Sequence, residues 1–309
     1  MRLFVLAAST GGDHHSPRYR GQMDYVRWQV RPRLRRPVLI AAFEGWNDAA
    51  DAASTAVRYL RDRWSAQPFA TIDHEDFYDF TATRPQVRLV NGLTRRIEWP
   101  EAELSSAALP GTSRDVVVLL GHEPQLKWRT FSDQIVGVAT ELNVELIVIL
   151  GALLADVPHS RPVRVTGTAA DAELVRRLDL GRSTYEGPTG IVGVLHEAFS
   201  KSHLPSASLW AAVPHYVAAT PSPKASLALV ERTVDLLATT VDIEDLAIAA
   251  ADYERQVNEV VAADDDVVAY VRRLESSTDD DAAAADLKAV SGDALAAELE
   301  RYLREQRGD

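Results

Sequence analysis

Three uninterrupted apolar runs constrain this chain more than any other feature. Val38-Leu-Ile-Ala-Ala-Phe43, the Val-Val-Val-Leu-Leu stretch inside Asp115–Gly121, and Leu146-Ile-Val-Ile-Leu150 each lack the polar alternation of a strand with one wet face. A strand of this kind is dry on both faces, as in a covered parallel sheet. Helical spacing follows the runs at 48–63, 130–142, 171–177 and 190–200. Shorter strands are expected at 69–73, 163–168 and 208–213. Strands alternating with helices predict an α/β fold with a mostly parallel mixed sheet flanked by helices. Asn91-Gly92 lies between the strand patterns 87–90 and 95–99 and signals a tight hairpin. That hairpin is the expected source of the sheet's mixed character.

The alternation stops at Thr220-Pro-Ser-Pro223. Beyond it, 225–239, 244–262, 264–275 and 291–307 carry helical spacing, with Asp245 and Ser291 as expected N-caps. One helix presents a stripe of Leu246, Ala249, Ala250, Tyr253, Val257, Val260 and Val261. Ser276–Ala285 reads as a low-complexity connector. Charge marks the same divisions. The whole chain of 309 residues carries −12, but residues 1–36 carry +6 from eight arginines, and residues 224–309 carry −12. The expected parts are an Arg-rich, partly flexible N-terminal extension (1–36), an α/β core (37–223) and an acidic helical C-terminal region (224–309). The extension is expected to be a solvated tail or a strap over the core, with attraction to the acidic tail across an oligomer as a further option. Met1–Ala8 is a short run for a signal peptide, and the organised pattern begins just after Met23.

Composition removes several function classes. There is no cysteine, which excludes disulfides, thiolate-bound zinc, iron–sulfur clusters and a thiol nucleophile, and fits a reducing cytoplasm. A chain this acidic is a poor general binder of nucleic acid phosphates. No window has the 18 or more apolar residues of a membrane span. Neither nucleic acid nor membrane is therefore expected as a partner, and no metal or cofactor is called for.

Four loops hold the candidate chemistry. Phe43-Glu-Gly-Trp-Asn-Asp-Ala49 follows the first buried strand, where open α/β sheets bind ligands. Glu44, Trp46 and Asn47 are its candidates, Gly45 permits a tight turn, and Asn47 or Asp48 can cap the next helix. Turn chemistry alone explains Gly45, Asn47 and Asp48, with Trp46 as a packing residue. Gly121-His-Glu-Pro124 offers His122 and Glu123 as an acid–base pair, without a metal-binding spacing. The 151–162 loop carries Asp156, His159 and Arg161, and its Ser160 lacks the G-x-S-x-G context of a nucleophile. Tyr185-Glu-Gly-Pro-Thr-Gly-Ile191 enters a helix that Thr189 is placed to cap, and it is not a phosphate loop. No complete catalytic set is visible. Trp46 and Trp128 would be anchors if the sheet edge were instead a subunit interface.

Taken in order, the motifs at 43–49, 121–124 with Trp128 and Phe131, 151–162 and 185–191 resemble the actinobacterial branch of the proteasome assembly chaperone 2 family over residues 37–223. The resemblance implies a core similar to the purine nucleoside phosphorylase/hydrolase-like fold and self-association, with a homotrimer as one form. It also implies a protein partner such as a proteasome component, and a non-enzymatic assembly or interaction role. The alternative is a small-molecule hydrolase or ligase with its site at the strand ends. An ATP-grasp label carried by some relatives finds no glycine-rich nucleotide loop here, and the family supplies no catalytic residues to carry over.

Overall fold

The computed structural model describes residues 24–92, 94–169, 171–182 and 185–285, with side chains to residue 278. The expected helix at 291–307, its Ser291 cap and the first 23 residues lie outside this set. In chain order the elements are β1 (Val26–Trp28), β2 (Val38–Glu44), α1 (Ala52–Arg63), β3 (Gln67–Ile72), β4 (Gln86–Val90), β5 (Thr94–Glu98), β6 (Ala102–Ala108), β7 (Asp115–His122) and α2 (Trp128–Glu141). They continue as β8 (Leu146–Ala155), β9 (Val165–Ala169), α3 (Ala172–Leu178), α4 (Ile191–Lys201), β10 (Ser206–Pro214), α5 (Pro223–Leu237), α6 (Glu244–Val261) and α7 (Asp265–Ala285).

The main sheet has the order β1-β3-β6-β7-β2-β8-β10-β9. Its four central strands, β7-β2-β8-β10, are mutually parallel. These include all three apolar runs, and β2 is buried along its first six residues. The outer pairings, β1–β3, β3–β6, β6–β7 and β10–β9, are antiparallel. The mixed character therefore comes from these strands. The hairpin around Asn91 does form, with positive φ at Asn91 (54°) and Gly92 (73°), but β4 and β5 stand apart as a sheet of their own.

Alternate residues of β2 feed opposite core layers. Val38, Ile40 and Ala42 pack with Leu60 of α1, Leu174 of α3 and Leu229 and Val230 of α5. Leu39, Ala41 and Phe43 pack with Phe131 and Ile135 of α2 and Leu195 and Phe199 of α4. Each fully buried side chain of this size stabilises the fold by roughly 1.5–3 kcal/mol. A third, smaller cluster joins Tyr253, Val257 and Val261 of α6 to Val271 of α7, with Tyr216 and Val217 packed against it.

Several local expectations change. Residues 24–36 add an edge strand, and their arginines pair with acids of the core: Arg27 with Asp73, Arg31 with Glu141, Arg35 with Asp115 and Arg36 with Glu145. The described part of the leader thus straps the core, and among the described residues it meets no acid of the C-terminal region. Ile243, not Asp245, precedes α6. Asp245 lies in the first helical turn, where it accepts from Leu246 N and Tyr59 Oη. Val260, assigned to the apolar stripe, is 71% exposed. Helix α7 runs through Ser276–Ala285, because four consecutive alanines favour helix and no Gly or Pro interrupts them.

Candidate functional site

The register between β2 and β7 sets Glu44 beside His122 at the carboxyl ends of the parallel strands. Glu44 accepts from Arg58 Nη2 of α1 at 2.6 Å, and its other oxygen is 3.1 Å from His122 Nδ1. All three side chains are about one-third exposed or more. An ion pair so placed contributes only about 0–1 kcal/mol, so it orients the side chains more than it stabilises the fold.

Glu123, one residue on, performs a different task. Its Oε1 accepts from Asn47 Nδ2 (2.8 Å) and from Ile191 N (2.8 Å), and its Oε2 accepts from Trp46 N (3.4 Å). One carboxylate therefore clasps three of the four sequence motifs. Burial pushes its pKa up, against the lowering effect of those three donors. The amide that Thr189 was placed to cap, the first of α4, is taken by Glu123. The Thr189 hydroxyl donates to Gly190 O instead. Gly190 is required by close approach, because a Cβ there would lie 2.2 Å from Asn47 Nδ2.

Asp48 does serve the next helix. Its Oδ1 accepts from Ala53 N (2.7 Å) and Ser54 N (3.1 Å), while Oδ2 is buried without a partner among the described residues. Desolvation raises its pKa to about 6, outweighing these hydrogen bonds. Gly45 turns the loop with φ of +134°, and Ala50 and Asp51 follow at φ of 51° and 52°. Such left-handed geometry costs an L-residue roughly 1–2 kcal/mol, so this loop holds strain.

Asp156, His159 and Arg161 face elsewhere, towards the C-terminal helices. Asp156 accepts from Tyr270 Oη (3.0 Å) and lies 3.2 Å from His215 Nδ1. His159 is 3% exposed. Its backbone N donates to Tyr216 Oη (2.8 Å), which also lies 2.8 Å from its Nδ1, and its Nε2 is 3.1 Å from Asn258 Oδ1. A neutral imidazole carrying its proton on Nε2 satisfies these contacts together. Burial lowers its pKa in agreement with that state. Lys224 Nζ ties His159 O to Glu254, and Glu275 accepts from Ser160 Oγ and lies 3.7 Å from Arg161. Trp128 leans onto the core. It is partly buried against the α2–α4 core layer, with its Nε1 donating to Pro124 O.

The ten candidates thus separate into an exposed Glu44–His122 pair, a clasp of Trp46, Asn47 and Glu123 beside Thr189, a helix cap at Asp48, and a latch of Asp156, His159 and Arg161. Beside the clasp, a cleft of about 880 Å³ opens between α4 and strands β8, β9 and β10. Trp46, Asn47 and Thr189 line it, and none of the candidate carboxylates does. Sequence reading missed Trp210, Arg182 and His196 of that lining. The signal available was Trp210, an aromatic within an otherwise small and apolar strand. Among the described residues no group of His, Asp and Glu is arranged to hold a metal ion, and no helix is long and apolar enough to cross a membrane.

Comparison with known proteins identifies this arrangement. A PAC2 family protein from Streptomyces avermitilis MA is 48% identical over 76% of this chain and 99% of its own, with a TM-score of 0.72. A proteasome-assembly chaperone homologue from Mycobacterium tuberculosis is 47% identical over the same shares, with a TM-score of 0.69. A protein of unknown function from M. tuberculosis is 26% identical over 86% of this chain and 92% of its own, with a TM-score of 0.77. No curated protein matches significantly. The model of the PAC2 family matches residues 42–261, a span that begins in β2 and runs through the clasp, the latch and α6. With the motifs, the fold and the family match in agreement, the chain belongs to the PAC2 family.

Proposed function

We propose that this protein is a non-enzymatic assembly factor of the cytoplasm, self-associating and acting on proteasome components. The observation that carries the reading is the β4–β5 hairpin. Val87 is 60% exposed, Leu89 62% and Ile97 53%, and every described strand residue of the hairpin is exposed. A lone two-stranded hairpin is marginally stable in water. Its apolar residues, flanked by Arg88, Arg95 and Arg96, have the character of a protein-binding arm. The likeness to a proteasome-assembly chaperone homologue supplies the partner class.

The competing reading is a hydrolase or ligase at the strand ends, and it draws on the cleft. The strand-end carboxylates lie outside that cleft's described lining, which weighs towards assembly. Native mass spectrometry of the full chain mixed with free proteasome α and β subunits tests the proposal. A defined complex with subunits, lost in a Val87→Asp/Ile97→Asp variant that melts normally, is the expected result. Self-association alone, with no subunit bound, would overturn it.

A further inference from the structure

The cleft beside the clasp has the size and chemistry of a ligand site. Its volume of about 880 Å³ falls within the roughly 300–1,000 Å³ of small-molecule pockets. Trp46, Tyr185 and Trp210 bring aromatic rings to its walls. Trp210 lies against Gly151, where a Cβ would approach its ring to 2.5 Å. Rings fixed in this way reward a flat, apolar ligand with large contact area.

The polar lining is one-sided. Among the described lining residues Arg182 is the only Arg or Lys, and none is Asp or Glu. Arg182 is exposed and forms no ion pair with any described carboxylate. His196 also lines the cleft, and burial lowers its pKa to about 4, so it is neutral at physiological pH. Its Nδ1 is 2.9 Å from Ser206 Oγ, while its Nε2 is buried without a hydrogen-bond partner among the described residues. A buried nitrogen left unpaired is unusual in a folded protein and marks a place where a further polar atom would be stabilising. A guanidinium without a described carboxylate partner, in a described lining that has no carboxylate, favours a negatively charged group.

We propose that this cleft binds a small organic anion carrying a flat ring, with the ring among Trp46, Tyr185 and Trp210 and the anionic group held by Arg182. The site is independent of the hairpin and of any assembly role.

Calorimetric titration of the full chain tests this directly. The probes are 2-naphthoate, 2-naphthyl phosphate, the neutral 2-naphthylmethanol and the cationic 2-naphthylmethylamine. At least one of the two anions should bind saturably, and the pair shows which anionic head group the cleft prefers. The alcohol should bind about tenfold more weakly, the loss of one charge-assisted contact, and the amine should not bind. Arg182→Ala, on an exposed loop, should bring the bound anion to the level of the alcohol without altering thermal melting. Leu153→Trp and Thr168→Phe fill the cleft from two strands, so that one folded blocking variant suffices. Each should abolish binding. Failure of both anions to bind, equal affinity for anion and amine, or binding that survives in a folded blocking variant would each overturn the assignment.

Discussion

The clasp and the latch are built from the same residue types and do opposite things. Both lie in loops after central parallel strands, and both use a titratable side chain, half-buried in Glu123 and buried in His159, to gather donors and acceptors. Glu123 of the clasp joins loops of the α/β core to one another. His159 of the latch joins the core to Tyr216 and to Asn258 of α6. The clasp group is an acid whose pKa burial raises, and the latch group is a base whose pKa burial lowers. A strand-end polar residue in this fold is therefore a fastener first, and what it fastens depends on which element lies opposite.

The largest effect expected from breaking this comparison is at Glu123. Glu123→Ala strands the Ile191 amide and the Asn47 side chain, at a cost of about 2–4 kcal/mol in chemical denaturation. Glu123→Gln keeps an acceptor for both and removes a half-buried charge, so its cost should stay within about 1 kcal/mol. Equal losses in the two variants would mean that the hydrogen bonds are not what holds the loops.

Asp48 gives the next effect, and it depends on pH. Its pKa is raised from the usual 3.8 to about 6 in the folded state. Its stabilising contribution is therefore complete below 3.8 and is lost as pH rises through 6. Asp48→Asn does not titrate at this position. It should gain on the wild type between about pH 4 and about pH 7, by at most about 3 kcal/mol. A difference that stays flat over this range would refute the burial argument.

The latch should respond in the other direction and locally. The folded pKa of His159 lies below the usual 6.5. Its contribution is present above 6.5 and is lost as pH falls through the folded value. Protection factors in α6 and α7, referred to the intrinsic exchange rate at each pH, should fall on mild acidification, while those of the central strands hold. His159→Leu should remove that pH response and destabilise by about 1–2 kcal/mol. A uniform fall in protection across the described elements would show that the helices do not open separately.

The smallest effect on stability belongs to the hairpin. Val87→Asp/Ile97→Asp should change the global free energy of unfolding by no more than about 0.5 kcal/mol per site, because both side chains are more than half exposed. Val87 and Ile97 face each other across the hairpin, so a larger loss would mean that this cross-strand pair supports the main fold and would weaken the case for an interaction arm.

Legibility in the sequence followed the strength of local signals. The runs at 38–43, 115–121 and 146–150 announce β2, β7 and β8, because a strand buried on both faces admits almost nothing polar. Asn91-Gly92 marks its hairpin because few residue pairs accept two consecutive positive φ values. Strands β1 and β6 were not legible. Val26–Trp28 is three residues long, and Ala-Glu-Leu-Ser-Ser-Ala-Ala at 102–108 is poor in the β-branched and aromatic residues that mark strands. Contact with β3 and β7 makes them strands. The candidate residues were found, but their partners were not, since Glu123 and Ile191 are 68 residues apart and His159 and Asn258 are 99 apart.

The sequence by itself determined an α/β core with dry central strands, a tight hairpin turn at Asn91-Gly92 and a helical, acidic C-terminal region. Periodicity and backbone preference act over a few residues, and each of these features is written at that range. Only the tertiary structure decided that Glu123 closes the core loops, that His159 holds the helices, and that Arg182 and three aromatic side chains meet around one cleft. Those outcomes depend on hydrogen-bond distance and burial between segments far apart in the chain, quantities that no local pattern encodes.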